Sequence, residues 1–330
     1  MSVQVSVRVS VRVKFSSIFA VVVALLAGPA LADDYPSRPI RVITTSSAGG
    51  ISDIFMRVLN DSLRDRIGQP LIIENKPGAQ GNIAARICQE SPPDGYTICI
   101  INADTIVYNE FLFKELPFNP DKLTPIVNLF HLIQVLVVNS DLNAKTVDDL
   151  VAVSKAKPGT LNYLTAAVPM VVYMDRLKRD KGADWIRVPF KGGGEAVTAI
   201  LGGTTPIGLI GLGNVTAQIT AGKMTALALV NNIRTPLLPN TPTLADLGYK
   251  GPPSQTWYGL FAPAGTPKPI IDKLNGEIVK VVSDAGFRDK FIISRGLVPA
   301  IGSPEEFAKD IKADRAGAKD IVKESGMEPQ

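Results

Sequence analysis

The fold follows from one stretch near the start of the chain, Arg38-Pro39-Ile40-Arg41-Val42-Ile43-Thr44-Thr45-Ser46-Ser47-Ala48-Gly49-Gly50-Ile51-Ser52-Asp53. Its apolar half predicts a buried strand over residues 40–44, and the pattern after it predicts a helix over 52–67 that ends at Gly68. The N–H groups at a helix start carry partial positive charge, and Gly lets a ligand approach the backbone closely. The junction is therefore either a carboxylate or phosphate site or an ordinary strand-to-helix turn.

Residues 1–32 are predicted to be a secretory signal peptide. Three basic residues precede an apolar run over 15–27, and Ala30-Leu31-Ala32 supplies the small residues for cleavage after Ala32. The run is shorter than the roughly 20 residues of a membrane span. No later segment approaches about 18 uninterrupted apolar residues. We therefore expect an exported protein whose mature part is not embedded in the membrane.

The charge balance argues against a nucleic-acid partner. The chain has 330 residues, with 35 Lys and Arg against 31 Asp and Glu. The predicted signal removes Arg8, Arg12 and Lys14 but no acid, so the mature net charge is near +1. Nucleic-acid binding needs a clustered basic face, which this sequence lacks. The mature chain is long enough to bury a large core, and we expect two lobes.

Cys88 and Cys99 are the only cysteines. An exported protein meets an oxidising compartment in which two thiols can pair. Cys88 falls late in a predicted helix over 83–90, and Cys99 falls in the next predicted strand. They form either a disulfide, if their Cα atoms lie within about 7 Å, or two buried free thiols. Their spacing does not suit a metal site, and no cofactor is expected.

Strand-type and helix-type runs alternate along the mature chain, which predicts an α/β fold with a parallel sheet. The predicted strands are 40–44, 71–74, 96–101, 134–138, 161–164, 186–190 and 206–210, and the further helices include 83–90, 147–156 and 195–201. Small or polar residues follow several of these strands: Asn102, Asp104 and Thr105; Thr165, Ala166 and Ala167; Gly192 and Gly193; Gly211 and Asn214. Ligands of open α/β sheets bind outside the carboxyl ends of the strands, so these residues are candidate ligand contacts.

Two apolar stretches, 130–138 and 257–261, are interpreted as crossings of the chain between the lobes. Lobe 1 is then predicted to contain residues 33–133 and 255–330, and lobe 2 residues 134–254. Pockets form preferentially at such interfaces, so a ligand cleft is expected between the lobes.

Motifs along residues 35–326 resemble those of the Bug-type solute-binding proteins. They include Tyr35-Pro36-Ser37-Arg38-Pro39-Ile40-Arg41, Gly49-Gly50-Ile51-Ser52-Asp53, Glu74-Asn75-Lys76-Pro77-Gly78-Ala79, Pro93-Asp94-Gly95-Tyr96-Thr97, Lys157-Pro158-Gly159, Val188-Pro189-Phe190-Lys191-Gly192 and Trp257-Tyr258-Gly259-Leu260-Phe261-Ala262-Pro263. The resemblance implies a type II periplasmic-binding fold and the periplasmic component of a tripartite tricarboxylate transporter. By position, it assigns ligand contacts to Ser46, Ser47, Ala48, Gly49, Gly50, Ser52 and Asp53, and to the loops at Thr165–Ala167, Gly192–Gly193 and Gly211–Gly213.

The function implied by this resemblance is capture of a small carboxylate by lobe closure and delivery to inner-membrane transporter subunits. Di- and tricarboxylates, including aromatic ones, are the expected ligands, and the protein is expected to be a monomer. One alternative is a binding protein that reports to a membrane sensor. A secreted hydrolase is the other alternative, but the sequence has no Gly-x-Ser-x-Gly elbow and its one histidine, His131, lies in an apolar run.

The chain departs from the family pattern in its ligand loops. The usual Pro-Phe-Ala-Pro-Gly-Gly-Gly-Thr-Asp is replaced by Thr45 to Asp53, which makes that wall more polar. Ala166-Ala167-Val168-Pro169-Met170 stands where many relatives have Gly and Ser. An acid that relatives often carry near Gly211 is absent, which argues against an amino-acid ligand. Together these changes favour a carboxylate with an apolar or aromatic body.

Four individual residues have two interpretations each. Asp53 either orders the ligand loop or simply favours the dipole of its helix. Asp104 either contacts a ligand hydroxyl or amine or is an ordinary turn residue. Trp257 and Tyr258 are interpreted as core and hinge packing rather than as a stacking surface for a ligand.

Overall fold

The structure is a computed structural model that describes residues 1–4, 6, 35–165, 167–188, 193–230, 233–252 and 256–329, with Gly193 and Gly194 described by their backbone alone. The chain divides into two compact units, Met1–Tyr35 and Pro36–Gln330. All the elements below belong to the second unit. Most of the predicted signal peptide, including the predicted cleavage position after Ala32, lies outside the described residues.

Strands and helices alternate along the described residues. The strands are β1 Ile40–Thr44, β2 Leu71–Asn75, β3 Thr97–Asn102, β4 Leu123–Leu132, β5 Gln134–Asn139, β6 Asn162–Leu164, β7 Ile186–Arg187, β8 Ile207–Gly211, β9 Met224–Leu229, β10 Trp257–Pro263 and β11 Leu297–Pro299. The α-helices are α1 Ile51–Ile67, α2 Asn82–Gln89, α3 Asn109–Leu112, α4 Val147–Ala156, α5 Val168–Lys181, α6 Gly193–Leu201, α7 Thr216–Thr220, α8 Lys268–Ser283, α9 Ala285–Phe291 and α10 Pro304–Glu324. None of these helices has the length and apolarity that crossing a membrane requires.

The first sheet has six strands in the order β11-β4-β10-β3-β1-β2. Its β1 pairs in parallel with both β2 and β3, as the α/β pattern predicts. Strand β10, which returns from far along the chain, inserts antiparallel between β3 and β4. The sheet is therefore mixed: the predicted parallel pairing holds for β1, β2 and β3, and the antiparallel strands β4, β10 and β11 complete the sheet.

The second sheet has five strands in the order β7-β6-β8-β5-β9. Strand β6 pairs in parallel with β7 and β8, whereas β5 pairs antiparallel with β8 and β9. Strand β4 ends at Leu132 in the first sheet and β5 begins at Gln134 in the second. The predicted lobe limits, 133/134 and 254/255, stay a prediction.

Helix α1 shows how the sequence builds the first layer around its sheet. Phe55, Leu59 and Leu63 recur every fourth residue, so they share one helix face, and all three are buried. The Phe55 ring contacts Phe130 of β4, with 4.7 Å between ring centroids. Burying each such side chain contributes about 1.5–3 kcal/mol. Gly68 ends the helix in the left-handed conformation, with φ +75°.

Cys88 of α2 and Cys99 of β3 form a disulfide, with their Cα atoms 6.1 Å apart. Both side chains are fully buried. Of the two alternatives that the sequence left open, the structure therefore contains the bonded pair. The bond ties a helix to the strand that follows it.

Helix α5 packs against both sheets. Val168 and Val172 belong to the hydrophobic cluster of the first sheet, whereas Met170 and Met174 belong to a cluster of the second. Further along α5, the Arg176 guanidinium pairs with the Glu324 carboxylate at the end of α10, at 2.7 Å. This ion pair ties α5 to the C-terminal end of α10.

Candidate functional site

The loop between β1 and α1 turns on two glycines. Gly49 has φ +81°, in the left-handed region that favours glycine. A Cβ atom added to Gly50 would stand 2.6 Å from Cβ of Ser46, so the loop has no room for a side chain there. The Gly50 N–H donates to the carbonyl oxygen of Ser47 at 2.9 Å. Two glycines are thus required by conformation and by space.

The first turn of α1 offers backbone donors at the end of β1. The first bond within the helix runs from the Ile54 N–H to the Gly50 carbonyl, so the helix itself does not use the N–H groups of Ile51, Ser52 and Asp53. Gly50 is extended, and no side chain caps this helix. An uncapped start of a 17-residue helix is a favourable position for an anion.

The Asp53 carboxylate holds this loop in place through hydrogen bonds. Its Oδ2 accepts the Gly49 N–H at 2.9 Å, and its Oδ1 accepts from Arg57 Nε at 3.0 Å and Asn75 Nδ2 at 3.1 Å. The carboxylate is almost fully buried. Burial opposes its ionisation, but these donors outweigh that effect and lower the pKa of Asp53 below its usual value. Both oxygens are occupied by protein donors, which favours the loop-ordering interpretation.

A chain of hydroxyls leads from α1 to β10. The buried Ser52 hydroxyl donates to Ser46 Oγ at 2.7 Å, and Ser46 is hydrogen-bonded to the phenol of Tyr258. The Tyr258 ring stacks on Phe130, with centroids 5.5 Å apart. Burial and the neighbouring charge of Asp104 raise the pKa of Tyr258 to about 12, so the phenol keeps its proton. Tyr258 therefore presents a hydroxyl beside the ligand loop.

Two of the candidate residues at the end of β3, Asn102 and Thr105, are held in hydrogen bonds within the protein. The Thr105 hydroxyl lies 2.6 Å from Asn102 Oδ1 and 2.8 Å from the Gln80 carbonyl oxygen. Thr105 is fully buried, and a Cβ on Gly81 would stand 2.3 Å from its hydroxyl oxygen. Asn102 and Thr105 thus pin the neighbouring loop.

Asp104, just after β3, lies beside the start of helix α5. Its carboxylate accepts the backbone N–H of Val168, the first residue of α5. Burial penalises the charged form and raises the pKa of Asp104 to about 7, while the N–H bond opposes that rise. The carboxylate is also close enough to Tyr258 to raise the pKa of that phenol. The structure therefore brings Asp104, Ser46, Tyr258 and the α5 start together.

Helix α5 has little left to offer a ligand at its start. Pro169 has no N–H, and the Met170 N–H donates to the Ala167 carbonyl at 3.0 Å. The Val168 N–H is taken by Asp104. Thr165, just before the helix, is buried, and its hydroxyl has no partner among the described residues. Ala167 is buried as well, and Ala166 lies outside the described residues.

The remaining second-sheet candidates are arranged differently. Gly193 begins α6, and Gly192 lies outside the described residues. After β8, the exposed Asn214 side chain donates back to the Gly211 carbonyl at 3.3 Å. A Cβ on Gly213 would stand 2.4 Å from the carbonyl oxygen of Arg295. This turn thus packs on the backbone between α9 and β11.

A surface cavity of about 450 Å³ lies elsewhere, between the C-terminal half of α5 and residues 247–250. Arg176 and Arg179 on its wall are already paired, with Glu324 and Asp180. None of the residues that line this cavity belongs to the loop after β1. Among the described residues, no group of three or more His, Cys, Asp or Glu side chains could hold a metal ion.

A family model described as "Tripartite tricarboxylate transporter family receptor" matches residues 55–327. The chain belongs to this receptor family. Among curated proteins, Protein BugT of Bordetella pertussis is 31% identical over 312 residues, which cover 93% of this chain and 95% of BugT.

Two solved structures of similar proteins extend this result to the fold. R. palustris Rpa4515 with adipate is 26% identical, with a TM-score of 0.82 and coverage of 90% of this chain and 100% of that chain. MatC from Rhodopseudomonas palustris with bound malate is 27% identical, with a TM-score of 0.75 and coverage of 87% and 100%. The receptor thus has the two-lobe periplasmic-binding fold that the sequence predicts, and its family consists of binding proteins rather than enzymes.

Two groups beside the candidate site were not among the ligand contacts predicted from the sequence. Tyr258 was interpreted as core and hinge packing together with Trp257, yet the two side chains face opposite ways along β10, as strand alternation requires. Trp257 is buried and donates to Asp314 Oδ2 at 2.8 Å, whereas Tyr258 meets Ser46. The alternation was the available signal. The Val168 N–H has no signal in the sequence, because side-chain patterns do not show which backbone N–H groups will be donors.

Proposed function

We propose that this protein is a periplasmic receptor that binds a small carboxylate, closes its lobes around it and delivers it to a membrane transporter. Family membership supports the receptor role, and adipate and malate in two similar structures support a carboxylate ligand. Export with cleavage after Ala32, action as a monomer and the absence of catalysis are parts of the same proposal.

The observation that carries the proposal is the uncapped start of α1. Its unused N–H groups, the exposed Ser47, Ala48 and Gly49, and the buried Asp53 beneath them form a preorganised donor loop. A carboxylate placed there satisfies orphan donors and interacts favourably with the helix dipole. The second wall would come from the loops around Thr165 and α6, so that closure completes the site and shifts the population toward a closed form.

The test uses calorimetry with malate, adipate, citrate and an aromatic dicarboxylate, and two variants at one position. Ile51→Pro removes one donor, and proline suits the first position of a helix. The preceding Gly50 is already extended, which proline also requires. Ile51→Ala removes the side chain but keeps the N–H, so it is the matched control.

We expect at least one carboxylate to bind the wild type without turnover. Loss of a hydrogen bond to a charged group costs about 1.5–3 kcal/mol, so Ile51→Pro should weaken binding at least about tenfold more than Ile51→Ala. If no carboxylate binds the wild type, the proposal is wrong. If both variants bind equally, the α1 start is not the carboxylate site.

A further inference from the structure

Asn75, the last residue of β2, hydrogen-bonds to the loop that contains the proposed carboxylate site. In the parallel pairing of β1 and β2 it stands beside Thr44. Its side-chain Nδ2 lies 3.1 Å from Thr44 Oγ1, 3.0 Å from the Ser46 carbonyl oxygen and 3.1 Å from Asp53 Oδ1. One amide group therefore joins the end of β1, the loop after it and the first turn of α1.

The three neighbours of this amide determine which of its ends faces them. All three are accepting oxygen atoms, because the Thr44 hydroxyl donates its own hydrogen to the Ser46 carbonyl at 3.0 Å. The NH2 group of Asn75 has two hydrogens to share among them, whereas its oxygen atom has none. An oxygen in this position would face three other oxygens. The position thus requires a donor and not merely a polar side chain of this size.

Three carbonyl groups of the loop are held by donors of the protein itself. The Ser46 carbonyl accepts from two side chains, those of Thr44 and Asn75. The Ser47 carbonyl accepts the Gly50 N–H at 2.9 Å, and the Gly50 carbonyl accepts the next N–H along α1 at 2.9 Å. A carbonyl oxygen carries partial negative charge, so one that faced the ligand would repel a carboxylate. With these three oxygens occupied, the N–H groups that α1 itself does not use remain for an anion.

We propose that Asn75 is a positioning residue of this receptor, which holds the Ser46 carbonyl oxygen toward the protein and so sets the affinity of the loop for a carboxylate. Asn75 acts through the loop and need not contact the ligand. The inference rests on the proposed function, because it assumes that the carboxylate binds at the start of α1. It adds a residue of β2 that was not among the predicted ligand contacts.

Removing the Asn75 amide would affect the loop in two ways. The Ser46 carbonyl would keep a single donor, the Thr44 hydroxyl, and would be less firmly held away from the ligand. Asp53 would lose one of its donors, and donation by Asn75 is among the contacts that lower the pKa of Asp53. Binding to a loop that is less well preorganised must pay for ordering it, so carboxylate affinity falls.

The experiment compares Asn75→Ala and Asn75→Asp with the control Asn60→Ala. Asn60 is also a half-buried amide, and its Oδ1 accepts the N–H of Leu71, the first residue of β2, at 2.7 Å. The control therefore removes an amide from the opposite end of the same strand, away from the loop. Calorimetry uses whichever of malate, adipate, citrate and the aromatic dicarboxylate the wild type binds most tightly, and urea unfolding shows that each variant is folded.

At pH 8 Asn75→Ala should weaken carboxylate binding at least about fivefold relative to the wild type, and Asn60→Ala at most about twofold. A purely structural role of Asn75 predicts instead that the two folded variants bind the ligand equally well.

Asn75→Asp tests the need for a donor directly, because it changes the NH2 group to an oxygen with little change of shape. At pH 8 the new carboxylate would face the Ser46 carbonyl oxygen and Asp53, so binding should weaken at least about tenfold. Asp53, which is paired with Arg57, is the titratable group in contact with this position, and its charge favours the protonated form of the new carboxyl group. A protonated carboxyl group donates again, so the loss relative to the wild type should shrink at least about threefold between pH 8 and pH 6.

The inference is overturned if Asn75→Ala binds the carboxylate as tightly as Asn60→Ala, or if the loss in Asn75→Asp is the same at both pH values. In that case the receptor function stands, because the wild type has bound a carboxylate. If Asn75→Asp does not fold, the comparison of Asn75→Ala with Asn60→Ala decides. If none of the four carboxylates binds the wild type, both the inference and the proposed function are wrong.

Discussion

Replacing Asp53 by Ala should loosen the loop on which the proposed carboxylate site is built. The buried carboxylate holds Gly49, Arg57 and Asn75 through bonds of 2.9, 3.0 and 3.1 Å. Hydrogen bonds to a charged group contribute about 1.5–3 kcal/mol each, but they are not additive. Arg57 is 54% exposed and can turn to water, and Asn75 keeps the Ser46 carbonyl as a partner. We therefore expect a net loss of about 2–3 kcal/mol in the free energy of unfolding.

Urea unfolding at pH 7 measures this loss, and Asp65→Ala is the matched control. Asp65 lies on the same helix, but its side chain is 83% exposed and its nearest basic atom, on Arg64, is 3.6 Å away. Surface substitutions of this kind stay within about 0.5 kcal/mol. If Asp53→Ala is no more destabilising than Asp65→Ala, Asp53 does not hold the loop and our interpretation of it is wrong.

The pH dependence of the same pair gives an independent check. Native contacts lower the pKa of Asp53 below its usual 3.8, so the native state binds this proton less readily than the unfolded state. Its stabilising contribution is then complete above about pH 4 and is lost as the pH falls through the native pKa. The difference between the wild type and Asp53→Ala should shrink at pH values below 4.

Two further predictions concern stability. Replacing both Cys88 and Cys99 by Ala removes the bond that closes a loop of sequence separation 11. The free energy of unfolding, measured in urea, should fall by about 3 kcal/mol. An unchanged urea midpoint would contradict a stabilising bond. Burial raises the pKa of Asp314 to about 6, so the native state holds its proton more firmly and stability falls as the pH rises between about 4 and 6. Asp314→Asn keeps an acceptor for Trp257 and removes the titrating group. Between pH 4.5 and pH 7.5 its free energy of unfolding should therefore rise by about 1–3 kcal/mol relative to that of the wild type, as measured by thermal unfolding. Equal pH profiles of the two proteins would refute this.

The sequence predicted those strands and helices whose limits are set by residues within or next to the element itself. Strand β1 and helix α4 have the predicted bounds, because an apolar run and a Thr146 capping box mark them in the sequence itself. The apolar stretch 130–138 was interpreted as a crossing between the lobes, and within it Ile133 separates a strand of the first sheet from a strand of the second. Continuous hydrophobicity reports burial, and it does not say which sheet a residue joins.

The contacts at the candidate site depend on distant parts of the chain. Asp104 follows β3 and Val168 begins α5, more than 60 positions later in the chain, and Ser46 meets Tyr258 only because β10 returns between β3 and β4. No local period encodes such pairs. The sequence did predict that Ser46, Gly50 and Asp104 lie near strand ends, because that rule needs only the order of strands and loops. It left open which of them face a ligand and which are occupied by the protein.

The glycine contact after β8 has a mechanical consequence. A Cβ atom added to Gly213 would stand 2.4 Å from the Arg295 carbonyl oxygen. A Cβ atom added to Gly296, where φ is +67°, would stand 3.0 Å from the Gly213 nitrogen. Ile133, between the two sheets, accepts the Leu212 N–H and donates to the Gly296 carbonyl. The two sheets therefore meet at this point through closely packed, hydrogen-bonded backbone. A methyl group at position 213 would meet the Arg295 carbonyl oxygen, so Gly213→Ala should force the turn after β8 away from the backbone that precedes β11.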